Sequence, residues 1–381
     1  MHTSPARLAL VGIHGHGNSH LVRAQHLQRQ GLATVAAVAD PRPATEGMLV
    51  GDCPQFASLD ELLAETEVDV VVLSTPIHTH FPLTKLAFEA GADVLLEKPP
   101  VTSIEEFDEL LSLSRSMGRL CQVGFQALTS GAIPLALEII ERGEIGEVTG
   151  VSGNGCWVRN LDYWSRAAWA GKRVLNGVDV VDGVVTNPLA HATSAALKLA
   201  GATRAADIAS VELDLYRAND GIECDDTSVV RVRTATALPI TVALTLAAAD
   251  NKEPYVTVQG TTGRIVFFYK LDLLQVYRSG QDEPATLHTG QGHLLDDLLE
   301  VRRGEQQDLF SPLADNEGFT LVLDGVRRAP APRLIAPSAV EWVGTGGAAH
   351  PVVRDIENLI ARAGREHRTF AELGVPWTSP A

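Results

Sequence analysis

Gly12-Ile13-His14-Gly15-His16-Gly17 and Glu97-Lys98-Pro99 are the two short stretches whose residue types and spacing first suggest chemistry. Glycines at 12, 15 and 17 permit a tight turn that would set the amides of a helix start against a pyrophosphate. In the usual G-x-G-x-x-G pattern the second glycine lets the backbone approach the phosphates. That position is His14 here, with Gly15 one place late, so the turn is expected to adjust and to offer Gly15 or Gly17 instead. Asp40 follows Gly17 by 23 residues. A carboxylate there accepts hydrogen bonds from the adenosine ribose hydroxyls and repels a 2′-phosphate, which predicts NAD as cofactor in preference to NADP. Arg42, two residues on, softens that repulsion.

Lys98 precedes a proline, which pushes it to extended geometry, and Pro99 itself has a fixed φ. The lysine is thereby held at the carboxyl edge of a strand, where ligands bind in open α/β folds. Partly desolvated beside an oxidised, cationic nicotinamide, its ammonium would titrate below the free value and could hydrogen-bond to an alcohol or accept its proton. His191 sits in a helical or turn-like run, Asn187-Pro188-Leu189-Ala190-His191-Ala192, and imidazole suits proton exchange near neutrality. His80 reads as a helix-terminus or cofactor-edge residue. His14, His16, His20 and His78 span two loops without acidic or thiolate company, so no metal site is expected. The segment from Trp157 through Arg159, Tyr163 and Arg166 to Trp169 and Lys172 concentrates aromatic faces and cations, which suit a polyhydroxylated or carboxylated ring as substrate or else anchor a long loop.

The elements that must position these groups follow from periodicity. Near-continuous apolar runs at Leu8–Gly12, Thr34–Asp40, Asp69–Ser74, Asp93–Leu96 and Leu120–Gly124 predict parallel strands covered on both faces. Ser58-Leu59-Asp60-Glu61 and Ser103-Ile104-Glu105-Glu106 match capping boxes for helices between them. This alternation predicts a doubly wound α/β fold. After residue 125 the pattern changes to a helix at Ile133–Arg142, a long Gly/Trp/Arg segment over Gly153–Asn176 and a helix ending near Leu199. Strands rich in β-branched residues then run from Ala206 to Arg278, predicting a mostly antiparallel sheet. Helices at His293–Arg303, Asn316–Arg328 and Val352–Arg365 are expected to cover one face of that sheet.

Composition bounds the alternatives. A length of 381 residues predicts two domains. No apolar run approaches a membrane span, the leading Met1–Arg7 has no long apolar core of an export signal, and four scattered cysteines fit reduced thiols, so a soluble, cytoplasmic protein without membrane partners is expected. A net charge of −16 with no basic run argues against nucleic acid as a partner.

Three more stretches, Ser74-Thr75-Pro76-Ile77-His78-Thr79-His80, Ala90 through Pro99, and Asn187 to His191, complete a pattern with Gly260-Thr261-Thr262-Gly263-Arg264 and the closing Phe370 to Trp377. In this order they resemble the glucose-fructose oxidoreductase, inositol dehydrogenase and MocA-type family, over nearly the whole chain. The resemblance implies a Rossmann domain over 1–125 and a C-terminal α+β domain over 126–381. The open sheet of the latter would serve in homo-oligomerisation, as dimer or tetramer, with a substrate cleft between the domains. It places Ser74, Thr75, Pro76, His80, Glu97 and Lys98 at the cofactor edge with Gly12, His14, Gly15, His16, Gly17, Asp40 and Arg42. It implies a catalytic lysine, matched by Lys98, and an Asp-x-x-x-His pair. His191 matches that histidine, but the aspartate position holds Asn187, so either Asn187 only positions the substrate or the carboxylate is Asp182. The implied activity is NAD-dependent hydride exchange with a secondary alcohol or ketone of a sugar, inositol or related polyol. Two rivals share the scaffold: an NAD-dependent glycosidase working by transient oxidation, and a non-catalytic NAD-binding regulatory protein, for which His14 and Asn187 are the supporting departures.

Overall fold

The computed structural model describes residues 4–378; Met1, His2 and Thr3 of the leading segment lie outside the described residues. The chain divides into two compact units, one of Met1–Thr129 with Gly292–Asn316, the other of Ser130–Gln291 with Glu317–Ala381.

In the first unit the apolar runs become β1 (Ala6–Val11), β2 (Ala33–Ala39), β3 (Gln55–Phe56), β4 (Val70–Leu73), β5 (Asp93–Leu96) and β6 (Cys121–Val123). They form one parallel sheet in the order β3-β2-β1-β4-β5-β6. The order reverses between β1 and β4, and it is outside the carboxyl ends at such a point that open α/β sheets bind ligands. Between the strands run α1 (Gly17–Arg29), α2 (Leu59–Glu65), α3 (His80–Glu89) and α4 (Ile104–Met117). Ser58 and Ser103 cap α2 and α4 by accepting from the amides of Glu61 and Glu106. The return half of each box is displaced by one residue: Glu61 takes the amide of Ala57 and Glu106 that of Thr102, both at 3.1 Å.

The helix over Leu294–Arg303 does not cover the antiparallel sheet as its position in sequence led us to expect. It returns to the first unit, where Leu294, Leu295, Leu298 and Leu299 join Leu8, Leu10, Val70 and Leu95 in one core. Buried Asp297 of this helix accepts from the amide of Phe310 at 3.0 Å and from Gln306 at 2.6 Å, and also pairs with Gln122 of β6. Arg302 bonds Asp69 at 3.2 Å and Asp93. Amphipathic spacing fixes which face of a helix is apolar, but not which sheet that face will cover.

In the second unit α5 (Ala132–Glu141) leads into β7 (Val148–Cys156), followed by α6 (Leu161–Trp164), a hairpin of β8 (Val174–Leu175) and β9 (Val178–Asp179), and α7 (Ala190–Leu199). Then come β10 (Ile208–Arg217), β11 (Thr227–Thr234), β12 (Pro239–Thr245), β13 (Tyr255–Gly260), β14 (Gly263–Phe268), β15 (Leu273–Arg278) and β16 (Ala285–His288). After the returning helix α8 (Leu294–Arg303), α9 (Glu317–Arg328), β17 (Arg333–Leu334) and α10 (Ile356–Glu366) complete the unit's main elements. The sheet has nine strands in the order β16-β15-β14-β13-β7-β12-β11-β10-β17, antiparallel except for β12–β7 and β10–β17.

The central strand β7 takes in the first residues of the Gly/Trp/Arg segment Gly153–Asn176, where no strand was assigned from the sequence. Its glycines serve packing on both faces. A Cβ at Gly150 would stand 2.2 Å from the His367 ring, and one at Gly155 would stand 2.7 Å from the Leu189 side chain. The neighbours of α10 and α7 therefore approach the strand more closely than any side chain allows. α10 begins later than the expected Val352, because His350–Val353 pairs as a strand with Val340–Val343. The closing stretch packs Phe370 and Trp377 against buried Tyr216, with Trp377 and Tyr216 ring centroids 4.8 Å apart. Among the described residues no helix is long and apolar enough to cross a membrane, and Cys53, Cys121, Cys156 and Cys224 are all free thiols.

Candidate active site

Three glycines of the first turn do two different jobs. A Cβ at Gly12, whose φ is +78°, would sit 2.3 Å from the Ser74 carbonyl oxygen, and one at Gly17 would sit 1.8 Å from that of Gly12. These two let β1, the end of β4 and the start of α1 come together. Gly15, with φ +60°, faces open space, with nothing within 4 Å of where its Cβ would lie. It is the bare backbone at the mouth of the turn, one place later than in the usual pattern, and it leaves room for a phosphate group. The residues present therefore fit a dinucleotide.

Asp40 ends β2 beside this turn and is 4% exposed. One carboxylate oxygen accepts from the amide of Ile13 and the ring of His14, both at 3.0 Å; the other accepts from the Arg42 amide at 3.0 Å and guanidinium at 3.3 Å. For the ribose hydroxyls to be accepted as expected, the His14 ring or the Arg42 side chain has to yield its place. Burial pushes the Asp40 carboxyl up, but the bonds from His14 and Arg42 outweigh it and hold it at about 2. The folded value lies below the unfolded one, so the group adds stability above the unfolded value, and this is lost as pH falls from ~4 toward 2, about 2 kcal/mol in all. Urea unfolding of the native protein and Asp40→Asn checks this: the stability gap present at pH 7 should narrow at pH 3. An unchanged gap would show that the carboxylate bonds add nothing.

On the same carboxyl edge β5 ends in Glu97-Lys98-Pro99. Glu97 is 7% exposed. Its Oε1 receives His20 Nε2 at 2.8 Å, His16 Nε2 at 3.2 Å and Gln126 Nε2 at 3.2 Å, and its Oε2 receives the Lys98 amide at 3.1 Å. The expectation that His14, His16 and His20 lack acidic company is thus wrong: Asp40 meets the first, and Glu97, about 80 positions away in sequence, supplies the carboxylate for the other two. Burial pushes the Glu97 carboxyl up, but the two histidines reverse this and hold it well below its usual range. The bond to Glu97 in turn raises His16. His80 is the first residue of α3 and fully buried, with ring nitrogens 2.8 Å from the Pro99 carbonyl oxygen and 2.9 Å from that of Thr75. It joins the Ser74-Thr75-Pro76 turn to the strand end that carries Lys98. Burial lowers its pKa against the pull of those two carbonyls.

In the second unit Asp182 and Asn187 are bonded to each other. Asp182 is fully buried and accepts from Asn187 Nδ2 at 2.6 Å, from the Gly171 amide at 2.8 Å and from Arg166 at 3.0 Å. Half-buried Asn187 is the outer member of that pair, four residues before His191 at the start of α7. Arg166 in turn lies over the rings of Tyr163 at 3.8 Å and Trp169 at 4.6 Å, and Arg159 lies 4.8 Å from both Trp157 and Tyr163. The aromatic and cationic segment is therefore one stacked cluster hooked onto Asp182 by Arg166. Lys172 stands apart, paired with exposed Glu223 at 2.8 Å. Close to His191, at a ring separation of 6.2 Å, is Tyr269, whose buried hydroxyl has no hydrogen-bond partner among the described residues.

Residues 6–125 match the family model described as an oxidoreductase family with NAD-binding Rossmann fold, and residues 135–266 match the GFO/IDH/MocA C-terminal domain. The chain belongs to the GFO/IDH/MocA oxidoreductases. Its first unit is accordingly an NAD-binding Rossmann domain. An uncharacterized oxidoreductase of Schizosaccharomyces pombe is 37% identical over 93 residues, 24% of this chain and 25% of that protein. The first curated relatives are thus matched over only a quarter to a third of their length, 25% to 31%. Levoglucosan dehydrogenase of Pseudarthrobacter phenanthrenivorans is 25% identical over 321 residues, covering 74% of this chain and 81% of that one. Among solved structures, the WlbA dehydrogenase of Bordetella pertussis in complex with NADH and UDP-GlcNAcA superposes with a TM-score of 0.70 at 22% identity, over 85% of this chain and 96% of that one. That likeness bears on the fold, a parallel Rossmann sheet followed by a mostly antiparallel one.

Sequence reasoning missed three groups of this GFO/IDH/MocA protein: His20 and Gln126 on Glu97, and Tyr269 near His191. The i, i+4 spacing of His16 and His20 was legible as one helix face. Nothing local to Gln126 or Tyr269 marked either.

Proposed function

We propose that the protein is an NAD-dependent oxidoreductase exchanging hydride with a secondary alcohol or ketone of a sugar, inositol or related polyol. The observation that carries this reading is the gathering of the Gly12–Gly17 turn, Asp40 and Lys98 on one carboxyl edge of a single sheet. Gly12, Gly15, Gly17, Asp40 and the Ser74–Pro76 turn would hold the dinucleotide, which when bound supplies the hydride acceptor or donor. Lys98 would orient and polarise the reacting oxygen. His191 would take or return the hydroxyl proton, with Asn187, fixed by Asp182, aligning a neighbouring hydroxyl. The stacked Trp157, Arg159, Tyr163, Arg166 and Trp169 offer ring faces and guanidinium edges to a sugar. Relatives named for levoglucosan and for a UDP-sugar complex support this substrate class.

A screen of polyols, aldoses and uronic acids with NAD, following absorbance of the reduced cofactor, tests the reading. Turnover of none of them would refute it, and cleavage of a glycoside with no net reduction of NAD would put the protein among the glycosidases instead.

NAD should bind at least tenfold more tightly than NADP, about 1.4 kcal/mol, because the Asp40 carboxylate stays ionised against a 2′-phosphate. Equal affinities by calorimetry would mean that Arg42 neutralises it.

Tyr269→Phe is expected to raise KM for the substrate ~3- to 10-fold, the worth of one hydrogen bond, while leaving thermal stability equal or higher. A buried hydroxyl with no partner costs stability in the free protein and is available to a substrate oxygen. A fall in melting temperature with KM unchanged would make Tyr269 a packing residue only.

A further inference from the structure

We propose that His16, His20 and Glu97 form a binding site for one divalent transition-metal ion. His16 stands immediately before α1 and His20 lies one turn on, so their rings share a face, 5.3 Å apart and edge-on. Glu97 meets them from the end of β5. Their candidate ligand atoms, one from each residue, all lie within 4.8 Å of one another. A tetrahedral ion with bonds of about 2.1 Å holds neighbouring ligand atoms ~3.4 Å apart. The observed Glu97–His20 and Glu97–His16 separations of 2.8 and 3.2 Å need only small side-chain rotations to reach that.

Three features favour an ion over a simple hydrogen-bond cluster. Glu97 Oε1 takes three donors, His16, His20 and Gln126, although a carboxylate oxygen has two lone pairs. An ion would replace the two ring N–H groups by one shared cation and leave Gln126 as an outer contact. The carboxylate is already ionised and oriented, held by Gln126 and by the Lys98 amide, the kind of outer support that metal-bound carboxylates have. Gly124 makes room for it, since a Cβ there would stand 2.8 Å from Glu97 Oε2. Finally, the His16 side chain is 61% exposed and opens a route for the ion, while Glu97 is buried.

Two imidazole nitrogens and one carboxylate oxygen are a borderline donor set suited to Zn²⁺, Co²⁺ or Ni²⁺ rather than Mg²⁺ or Ca²⁺. Three protein ligands leave a further position for water or another oxygen ligand. The neighbouring Lys98 ammonium opposes the ion, so moderate affinity is expected. The site draws on the first unit alone and needs neither cofactor nor substrate.

The test uses the full chain, stripped with a chelator and free of NAD, titrated with Zn²⁺ by calorimetry and with Co²⁺ by visible absorption. One equivalent should bind with a Kd in the micromolar range or below, and the Co²⁺ complex should show the intense d–d bands of a low-coordinate site. Zn²⁺ should raise the melting temperature. His16→Ala with His20→Ala should weaken binding at least 100-fold, and Glu97→Gln at least 10-fold. Because His16 is exposed, His16→Ala alone keeps the test open if the double variant does not fold, and it should abolish most of the Zn²⁺-dependent rise in melting temperature. Absence of saturable binding below millimolar metal would overturn the proposal, leaving a hydrogen-bond cluster. So would native-like binding in the histidine variants, which would move the ion to other residues.

Discussion

Replacing Lys98 with alanine is expected to lower kcat and kcat/KM together by ~10²-fold or more, as when a group acting in the transition state is lost. The dissociation constant for NAD should barely change, since the glycine turn and Asp40 remain. Lys98 is held by its neighbours on both sides: its own amide donates to Glu97 Oε2 at 3.1 Å, and the His80 ring lies 2.8 Å from the Pro99 carbonyl oxygen. His191→Ala should behave similarly, with an added rise in KM. Asn187→Asp, which would restore the family's carboxylate, should not help. The amide sits 2.6 Å from Asp182, so the change sets two carboxyl groups against each other, and one must stay protonated or move away. Steady-state kinetics on the substrate found by the screen decide the matter. If Lys98→Ala turns over at the native rate, the proposed chemistry fails whatever the fold.

Gly17→Ala is expected to be the most damaging single methyl group in the Rossmann unit. Its Cβ would lie 1.8 Å from the backbone oxygen of Gly12, and no side-chain rotation relieves a contact between backbone and Cβ. α1 has to shift away from β1, at a cost of about 3 kcal/mol or more, and the phosphate-binding turn shifts with it. Melting temperature and NAD affinity should both fall. Gly15→Ala makes the contrast. Its Cβ meets open space, so the fold bears only the left-handed backbone strain of about 1–2 kcal/mol. Its loss should appear chiefly in NAD binding, because the methyl group fills the room left for a phosphate. Melting curves with and without NAD separate the two. If Gly17→Ala melts like the native protein, the packing role assigned to Gly17 is wrong. If Gly15→Ala binds NAD normally, the phosphates approach elsewhere.

Local features were fixed by neighbouring residues alone. Buried parallel strands need unbroken apolar runs, so β1, β2, β4, β5 and β6 stood out without a structure. Ser58 and Ser103 mark helix starts because each cap acts within three residues of its partner. The glycine turn, Asp40 and Lys98-Pro99 were legible for the same reason, each being tied to the end of a strand already found. Only β3, a two-residue edge strand, escaped in that sheet, being too short to carry a pattern.

The tertiary structure decided whatever depends on partners far apart in the chain. The apolar face of α8 could have covered either sheet; its leucines and Arg302 chose the first through contacts more than 200 residues away, to Asp93 and Asp69. β7 carried no legible strand pattern because its glycines answer to His367 and Leu189, which no window of sequence around them contains. The same holds for the candidate site. Asp182 and Asn187 are joined by a hydrogen bond that their spacing did not announce, and His16 and His20 looked unsupported until the sheet brought Glu97 between them. Periodicity reports which side of an element is buried, since that is a property of a few consecutive residues. Which charges meet is fixed only when strand order and helix docking set distant residues within hydrogen-bond reach, and in this protein that is where the site's chemistry resides.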